Sequence, residues 1–313
     1  MKAPIVLFVY NRPEHTRQSI EALTANIYAS ESELFIYSDA PKNQQAIEGV
    51  QAVRSFIKNI QGFKAVTIIE RDINWGLAKS IIDGVTNIVN QYGKVIVLED
   101  DIVTSPYFLR FMNKALDYYG NEKNVWHISG WNYSIDLKGI EDAFFWRTMN
   151  CWGWATWKDR WQDFEKNVDK LISSFTKEEI YRFNLNGTEN FWGQVEANKS
   201  SQIDTWAIFW YATIFKQNGL CLNPAISFVR NIGLDGSGIH CETTSVYSVP
   251  FLSEKDIDFN TIPIKENKTA LKKVMRFCKK NNGNFFMNKL FYLPKKALKK
   301  FYICFKKCYE ASK

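Results

Sequence analysis

The chain has 313 residues, 46% hydrophobic and 23% charged, enough apolar material for one large core or two moderate ones, which excludes disorder over most of its length. No apolar run reaches the roughly 18 to 20 residues of a membrane-spanning helix, and Met1-Lys2-Ala3-Pro4 leads into a run too short for a signal peptide, so the sequence reads as cytoplasmic. The formal charge of +7 is uneven: from Lys265 onward 14 Lys and one Arg face only Glu266 and Glu310, which leaves the preceding chain acidic.

Ile5-Val6-Leu7-Phe8-Val9-Tyr10 is a β-rich run of the kind buried on both faces of a sheet, and Pro13 suits the first turn of a following helix. Such runs recur at Leu34–Tyr37, Ala65–Ile69 and Val95–Leu98, with helical patterns near residues 42 to 60 and 77 to 91 between them. The alternation predicts an α/β fold, a largely parallel sheet flanked by helices. Ser105-Pro106 marks the start of a further helix with Phe108, Phe111, Met112, Ala115, Leu116 and Tyr119 on one face. Residues 126 to 161 are dense in Trp, and Thr205 to Phe215 reads as a helix. After Pro263 the composition turns basic, and apolar pairs from Ala297 to Tyr309 recur at helical spacing between lysines. The domain reading is a body over residues 1–250 and a basic amphipathic extension over 251–313. Six Cys show no CxxC spacing and read as reduced thiols without a role.

In open parallel sheets, ligands bind beyond the carboxyl ends of the strands. Those ends carry Asn11-Arg12, Ser38-Asp39, Glu70-Arg71-Asp72 and Glu99-Asp100-Asp101. Three consecutive carboxylates suit a hard divalent cation, and they also suit a solvated acidic turn.

The segments Pro4 to Arg12, Asp39, Asn74-Trp75-Gly76-Leu77-Ala78 and Glu99-Asp100-Asp101, in this order, resemble the metal-dependent glycosyltransferases of the GT-A fold. The resemblance spans residues 3 to 245 and falls nearest bacterial relatives of the N-acetylglucosaminyltransferase I family, whose acidic motif is E-D-D. It implies a Rossmann-like sheet of GT-A type. It also implies a nucleotide contact for Arg12, a uracil contact for Asp39, a donor-lining turn at Gly76, a donor-sugar contact for Glu99, a ribose contact for Asp100 and a metal ligand in Asp101. The glycine-containing loop ending in His240 is similar to the late loop that closes the metal site in such enzymes. Imidazole beside carboxylates suits Mn2+, and Mg2+ stays open. His15 and His127 read as structural, the first exposed on a helix and the second at a strand end.

The resemblance places a general base in an acidic segment before a Trp, here Asp204 in Gln202-Ile203-Asp204-Thr205-Trp206, although Thr205 stands where the family has a second acid. A helix cap is the other reading of Asp204, and Glu189 and Glu196 are reserve candidates for the base. Cys151 to Trp157 is similar to the family's G-W segment. Trp152 and Trp154, which share a face if both lie in one strand, and Trp206 are therefore candidates for stacking on sugar rings, with core packing as the alternative.

The functional expectation is a metal-dependent inverting transferase. It moves a sugar from a nucleotide-sugar donor, UDP-linked by resemblance, to a glycan or lipid-linked glycan. The setting is bacterial surface polysaccharide (capsule or lipopolysaccharide) synthesis at the inner face of the membrane, with the tail on anionic lipid and no nucleic-acid partner. A sugar-nucleotide pyrophosphorylase would need a glycine-rich loop that Tyr10-Asn11-Arg12-Pro13-Glu14 lacks. A non-catalytic carbohydrate-binding protein would not need the carboxylates or His240.

Overall fold

The structure is a computed structural model that describes residues 1–236 and 245–291, with side chains as far as Asn281. His240 and the tail helix expected over 297 to 309 lie outside the described residues.

The first half alternates strand and helix as the apolar runs predict: β1 (Ile5–Val9), α1 (Pro13–Thr24), β2 (Glu33–Ser38), α2 (Ile47–Ile57), β3 (Ala65–Glu70), α3 (Leu77–Tyr92) and β4 (Lys94–Glu99). The second half contains β5 (Ile102–Thr104), α4 (Phe108–Tyr118), β6 (Val125–Ser129), β7 (Ala143–Trp146) and β8 (Trp154–Trp157), then the helices α5 (Lys158–Trp161), α6 (Val168–Ser174), α7 (Lys177–Phe183), α8 (Trp192–Lys199) and α9 (Ala207–Lys216). It ends with β9 (Leu220–Pro224), β10 (Val229–Asn231) and α10 (Lys268–Phe291). The main sheet has eight strands in the order β3-β2-β1-β4-β8-β6-β9-β7. Strands β1 to β4, β6 and β9 run in one direction, and β7 and β8 run against them. β5 and β10 form a separate antiparallel ribbon.

Strand alternation divides the interior in two. Ile5, Leu7, Val9, Ile96 and Leu98 face a core shared with α1, α2 and α4, while Val6, Phe8, Val95 and Val97 face a second core shared with α3, α10 and the Trp cluster. α3 reaches β1 through Gly84, where an added Cβ would stand 2.8 Å from the Phe8 ring. β3 departs from the expectation of burial on both faces: it is an edge strand with no fully buried residue. A third cluster, built on Phe183, Trp192, Phe209 and Phe215, holds α7, α8 and α9 together.

Two helix starts differ from the sequence reading. Ser105 Oγ accepts from Tyr107 N–H at 3.1 Å, which makes a tight turn through Pro106, so α4 begins at Phe108. Asn198 Oδ1 accepts from Thr205 N–H at 3.1 Å, so the chain enters α9 two residues later than predicted and Asp204 does not cap it.

Residues on both sides of the expected boundary at residue 250 share the same cores. Ile257, Phe259 and Ile262 are buried in the first core, and Ala270, Leu271, Val274 and Cys278 of α10 in the second. Arg147 binds the Glu266 carboxylate through two nitrogens, both at 2.6 Å. Basic composition hid this packing, because one apolar stripe per helix is enough to seat it. Among the described residues no helix is long and apolar enough to cross a membrane.

Candidate functional site

The order β3-β2-β1-β4 makes the junction of β1 and β4 the point where successive connections leave in opposite directions, the place at the carboxyl ends where open α/β sheets bind ligands. The turn after β1 delivers Arg12 to it, and β4 delivers Glu99, Asp100 and Asp101. Arg12 Nη2 donates to Asp101 Oδ2 at 2.9 Å and also to Asp100 Oδ1. The Tyr10 N–H donates to Asp100 Oδ2 at 3.3 Å, and Ser19 Oγ on α1 donates to the Asp100 carbonyl at 2.8 Å. The Asp101 carbonyl accepts from Ile232 N–H at 2.9 Å, which brings the chain after β10 over the cluster. Gly233 follows, and a Cβ there would overlap Asp101 Oδ2 and stand 2.9 Å from Arg12 Nη1.

One guanidinium pairs with two of the three carboxylates, Asp100 and Asp101. Burial, then repulsion from Asp101 and Asp100, pushes Glu99 up to about 8. Burial pushes Asp100 up to about 6 against the pull of Arg12. Burial opposes the charge on Arg12, and Asp100 and Asp101 outweigh it and keep the group protonated. The cluster therefore has negative charge in excess of its single cation. Carboxylate oxygens are hard donors, so Asp100 and Asp101 fit Mn2+ or Mg2+ in chemistry. Among the described residues no three His, Cys, Asp or Glu side chains converge as a ligand set.

Asp39, 8% exposed, has its carboxylate occupied by the chain itself. It accepts from Trp75 N–H at 2.9 Å, Gly76 N–H at 2.8 Å and Asn74 Nδ2 at 3.1 Å, tying the turn before α3 to the end of β2. Gly76 adopts φ 75° and ψ 162°, a backbone region essentially reserved for glycine. The Trp75 ring lies between the Arg71 guanidinium at 3.7 Å and Lys79 Nζ at 4.0 Å. Sequence reading found Asp39 and Gly76 but not the bonds that join them.

The three candidate stacking tryptophans separate. Trp154 is 1% and Trp206 3% exposed, stacked on each other at 5.1 Å in the second core, so neither presents a face to a ligand. Trp152 precedes the strand. Gly153, at φ 63°, breaks the alternation, and Trp152 joins the first core edge-on to Trp131 at 4.7 Å instead of sharing a face with Trp154. Trp152 is half-buried and stands at the same sheet edge as Glu99, because Trp154 pairs with Val97.

Asp204 lies ahead of α9, two residues before Trp206, which stacks on Trp154 opposite Val97 of β4. Asp204 is exposed and ion-paired with Lys166. Glu189 is half-buried beside Cys278, Tyr133 and Tyr247. Glu196 is exposed on α8. His15 is not an exposed helix residue. Its Nε2 is 3.2 Å from Asp235 Oδ2, so α1 also grips the chain after β10. His127 sits inside β6 fully buried, its Nδ1 accepting from Trp210 Nε1 at 3.2 Å and its Nε2 facing the Asn150 carbonyl at 2.9 Å. The roles of Ser19 and the Tyr10 N–H were invisible to sequence reading because nothing in their residue types marks a contact with a residue 81 or 90 positions away.

No family model matches the chain, and no curated protein matches it. Among solved structures, the chain is similar to residues 1–349 of S. aureus TarS in complex with UDP-GlcNAc, at 15% identity and a TM-score of 0.30 over 41% of this chain and 33% of that one. A longer S. aureus TarS structure is matched over 20% of its length. A mannosyltransferase of Pyrobaculum calidifontis, PcManGT, in complex with GDP-Man and Mn2+, is similar at 10% identity and a TM-score of 0.39 over 70% of each chain. These are likenesses of fold alone.

Proposed function

We propose that this chain is a nucleotide-sugar-dependent glycosyltransferase. The observation that carries the reading is the Arg12–Asp100–Asp101 cluster at the β1/β4 switch point, where a cation and an excess of carboxylates meet at the carboxyl edge. A donor diphosphate needs both kinds of charge: a guanidinium to hold phosphate oxygens and carboxylates to hold the cation that accompanies them.

Asp101, with Asp100 beside it, would hold Mn2+ or Mg2+, with His240 as a further ligand by resemblance. When bound, such an ion offsets the charge that grows on the leaving diphosphate. The remaining work falls to side chains and backbone. Arg12 exchanges one carboxylate for a phosphate oxygen. Asp39 positions the Asn74-Trp75-Gly76 turn along the nucleotide, and Glu99 contacts the donor sugar. Trp152, half-buried at the edge, offers an indole to a sugar ring, a role closed to the buried Trp154 and Trp206. Asp204 takes the proton of the acceptor hydroxyl as that oxygen attacks C1 from the face opposite the departing diphosphate, which inverts the centre. Its ion pair with Lys166 opens first. The donor is UDP-linked, the acceptor a glycan or lipid-linked glycan, and the setting surface polysaccharide synthesis at the inner membrane face.

Calorimetry tests the central claim. UDP is expected to bind in the presence of Mn2+ and to lose that binding in Asp101→Ala. Equal UDP affinity with and without Mn2+ in both proteins would overturn it.

A further inference from the structure

Helix α10 has two unlike faces. Ala270, Leu271, Val274 and Cys278 are buried against the second core, and ion pairs from Glu266 to Arg147 and from Lys273 to Asp136 fasten its flank. Turned away from them, Lys268, Lys272, Arg276, Lys279 and Lys280 are exposed. Their spacing of three and four residues gathers them into one stripe about 18 Å long. Among the described residues none of the five forms an ion pair. The stripe is therefore carried by a helix seated in the core, and among the described residues no carboxylate pairs with it.

We propose that this face of α10 docks the protein on an anionic lipid surface. Charge complementarity calls for a polyanion, and the order of residues selects lipid. The helix continues to Phe291, and its sequence past Asn281 turns apolar, with Phe285, Phe286, Met287, Leu290 and Phe291, followed by Tyr292 and Leu293. A basic block followed in sequence by aromatic and aliphatic residues is the composition of segments that settle at a lipid interface, where cations meet headgroups and apolar side chains add burial. A single-stranded nucleic acid would instead favour aromatic platforms set along the basic groove. The inference does not depend on glycosyl transfer, since lipid binding is read without any sugar.

The experiment sediments the full chain with vesicles of phosphatidylcholine alone and of phosphatidylcholine mixed with phosphatidylglycerol, at low and high salt. Binding is expected to the anionic vesicles only, and to fall as salt rises. Lys268→Gln, Lys272→Gln, Arg276→Gln, Lys279→Gln and Lys280→Gln introduced together are expected to weaken that binding by at least about a hundredfold, since each charge contributes about five-fold. The melting temperature and UDP affinity should stay as in the parent. Failure of the parent protein to bind anionic vesicles overturns the proposal. Undiminished binding by the substituted protein overturns it too, because the lysines after residue 281 would then be the anchor. Tight retention of the parent on duplex DNA, with vesicles unable to compete, assigns the stripe to nucleic acid and has the same effect.

Discussion

Arg12 Nη2 stands 2.9 Å from Asp101 Oδ2, a bond that ties together the segments leaving the first and fourth strands. The side chains of Arg12, Asp100 and Asp101 are 20%, 6% and 12% exposed, so removing the cation leaves two largely desolvated carboxylates unpaired. Arg12→Ala is expected to lower stability by about 3 kcal/mol in urea unfolding. Arg12→Lys keeps the charge without the fork and should lose roughly half as much. Equal stability of all three proteins would mean that the carboxylates are satisfied elsewhere.

Gly233 tests the cover over the same cluster. A Cβ there would stand 2.2 Å from Asp101 Oδ2, so Gly233→Ala must push the carboxylate or the chain after β10 aside. Overpacking of this kind costs about 1 to 3 kcal/mol, and displacement of Asp101 should weaken UDP binding in Mn2+ about ten-fold. Thermal unfolding and calorimetry read the two effects separately. Unaltered affinity would show that Asp101 does not depend on Gly233 for its position.

The proposed base is tested by comparing two carboxamides. Asp204 is exposed, so Asp204→Asn should fold normally and bind UDP normally while turnover drops about a hundredfold or more. Glu189→Gln should change turnover less. The reverse ranking would transfer the role to Glu189.

His127 gives the fold a pH dependence of known sign. Burial pushes its pKa down to about 3 from an ordinary 6.5. Above pH 6.5 the ring is neutral in both folded and unfolded chains. Below it the unfolded chain takes up a proton that the folded one refuses, so the His127 contribution falls by about 1.4 kcal/mol per unit between pH 6.5 and 3. Glu99 and Asp100, pushed up to about 8 and about 6, act in the opposite direction, so the effect is read as the difference between the parent and His127→Gln. A difference that does not change with pH over that window would mean the imidazole is already charged in the folded protein.

Truncation tests how far the body depends on α10. A chain ending at Pro263 loses the buried Leu271 and Val274, worth about 1.5 to 3 kcal/mol each, and leaves Arg147 without Glu266. It is expected to aggregate or melt far below the parent. A chain ending at Asn281 keeps every described buried contact of α10 and should melt near the parent temperature. If both truncations melt alike, α10 contributes nothing to the body.

The sequence by itself determined the strands β1 to β4, the helices between them and the placement of Arg12 and Glu99-Asp100-Asp101 at strand ends. Strands of a parallel sheet form continuous apolar runs, and the polar residues that interrupt them mark where the chain leaves the core. Tertiary structure alone decided which strand ends are neighbours, because the order β3-β2-β1-β4 depends on crossovers that leave no local pattern. It also decided which polar and aromatic residues were already committed. Asp39 is occupied by the Trp75 and Gly76 amides, Trp154 and Trp206 by each other, and Gly233 by Asp101. Each is a contact between distant segments whose residue types permit several environments. The seating of α10 was decided in the same way: composition counts every lysine, whereas packing needs only the one face that has none fully buried on it, and that face is defined by what the sheet presents to it.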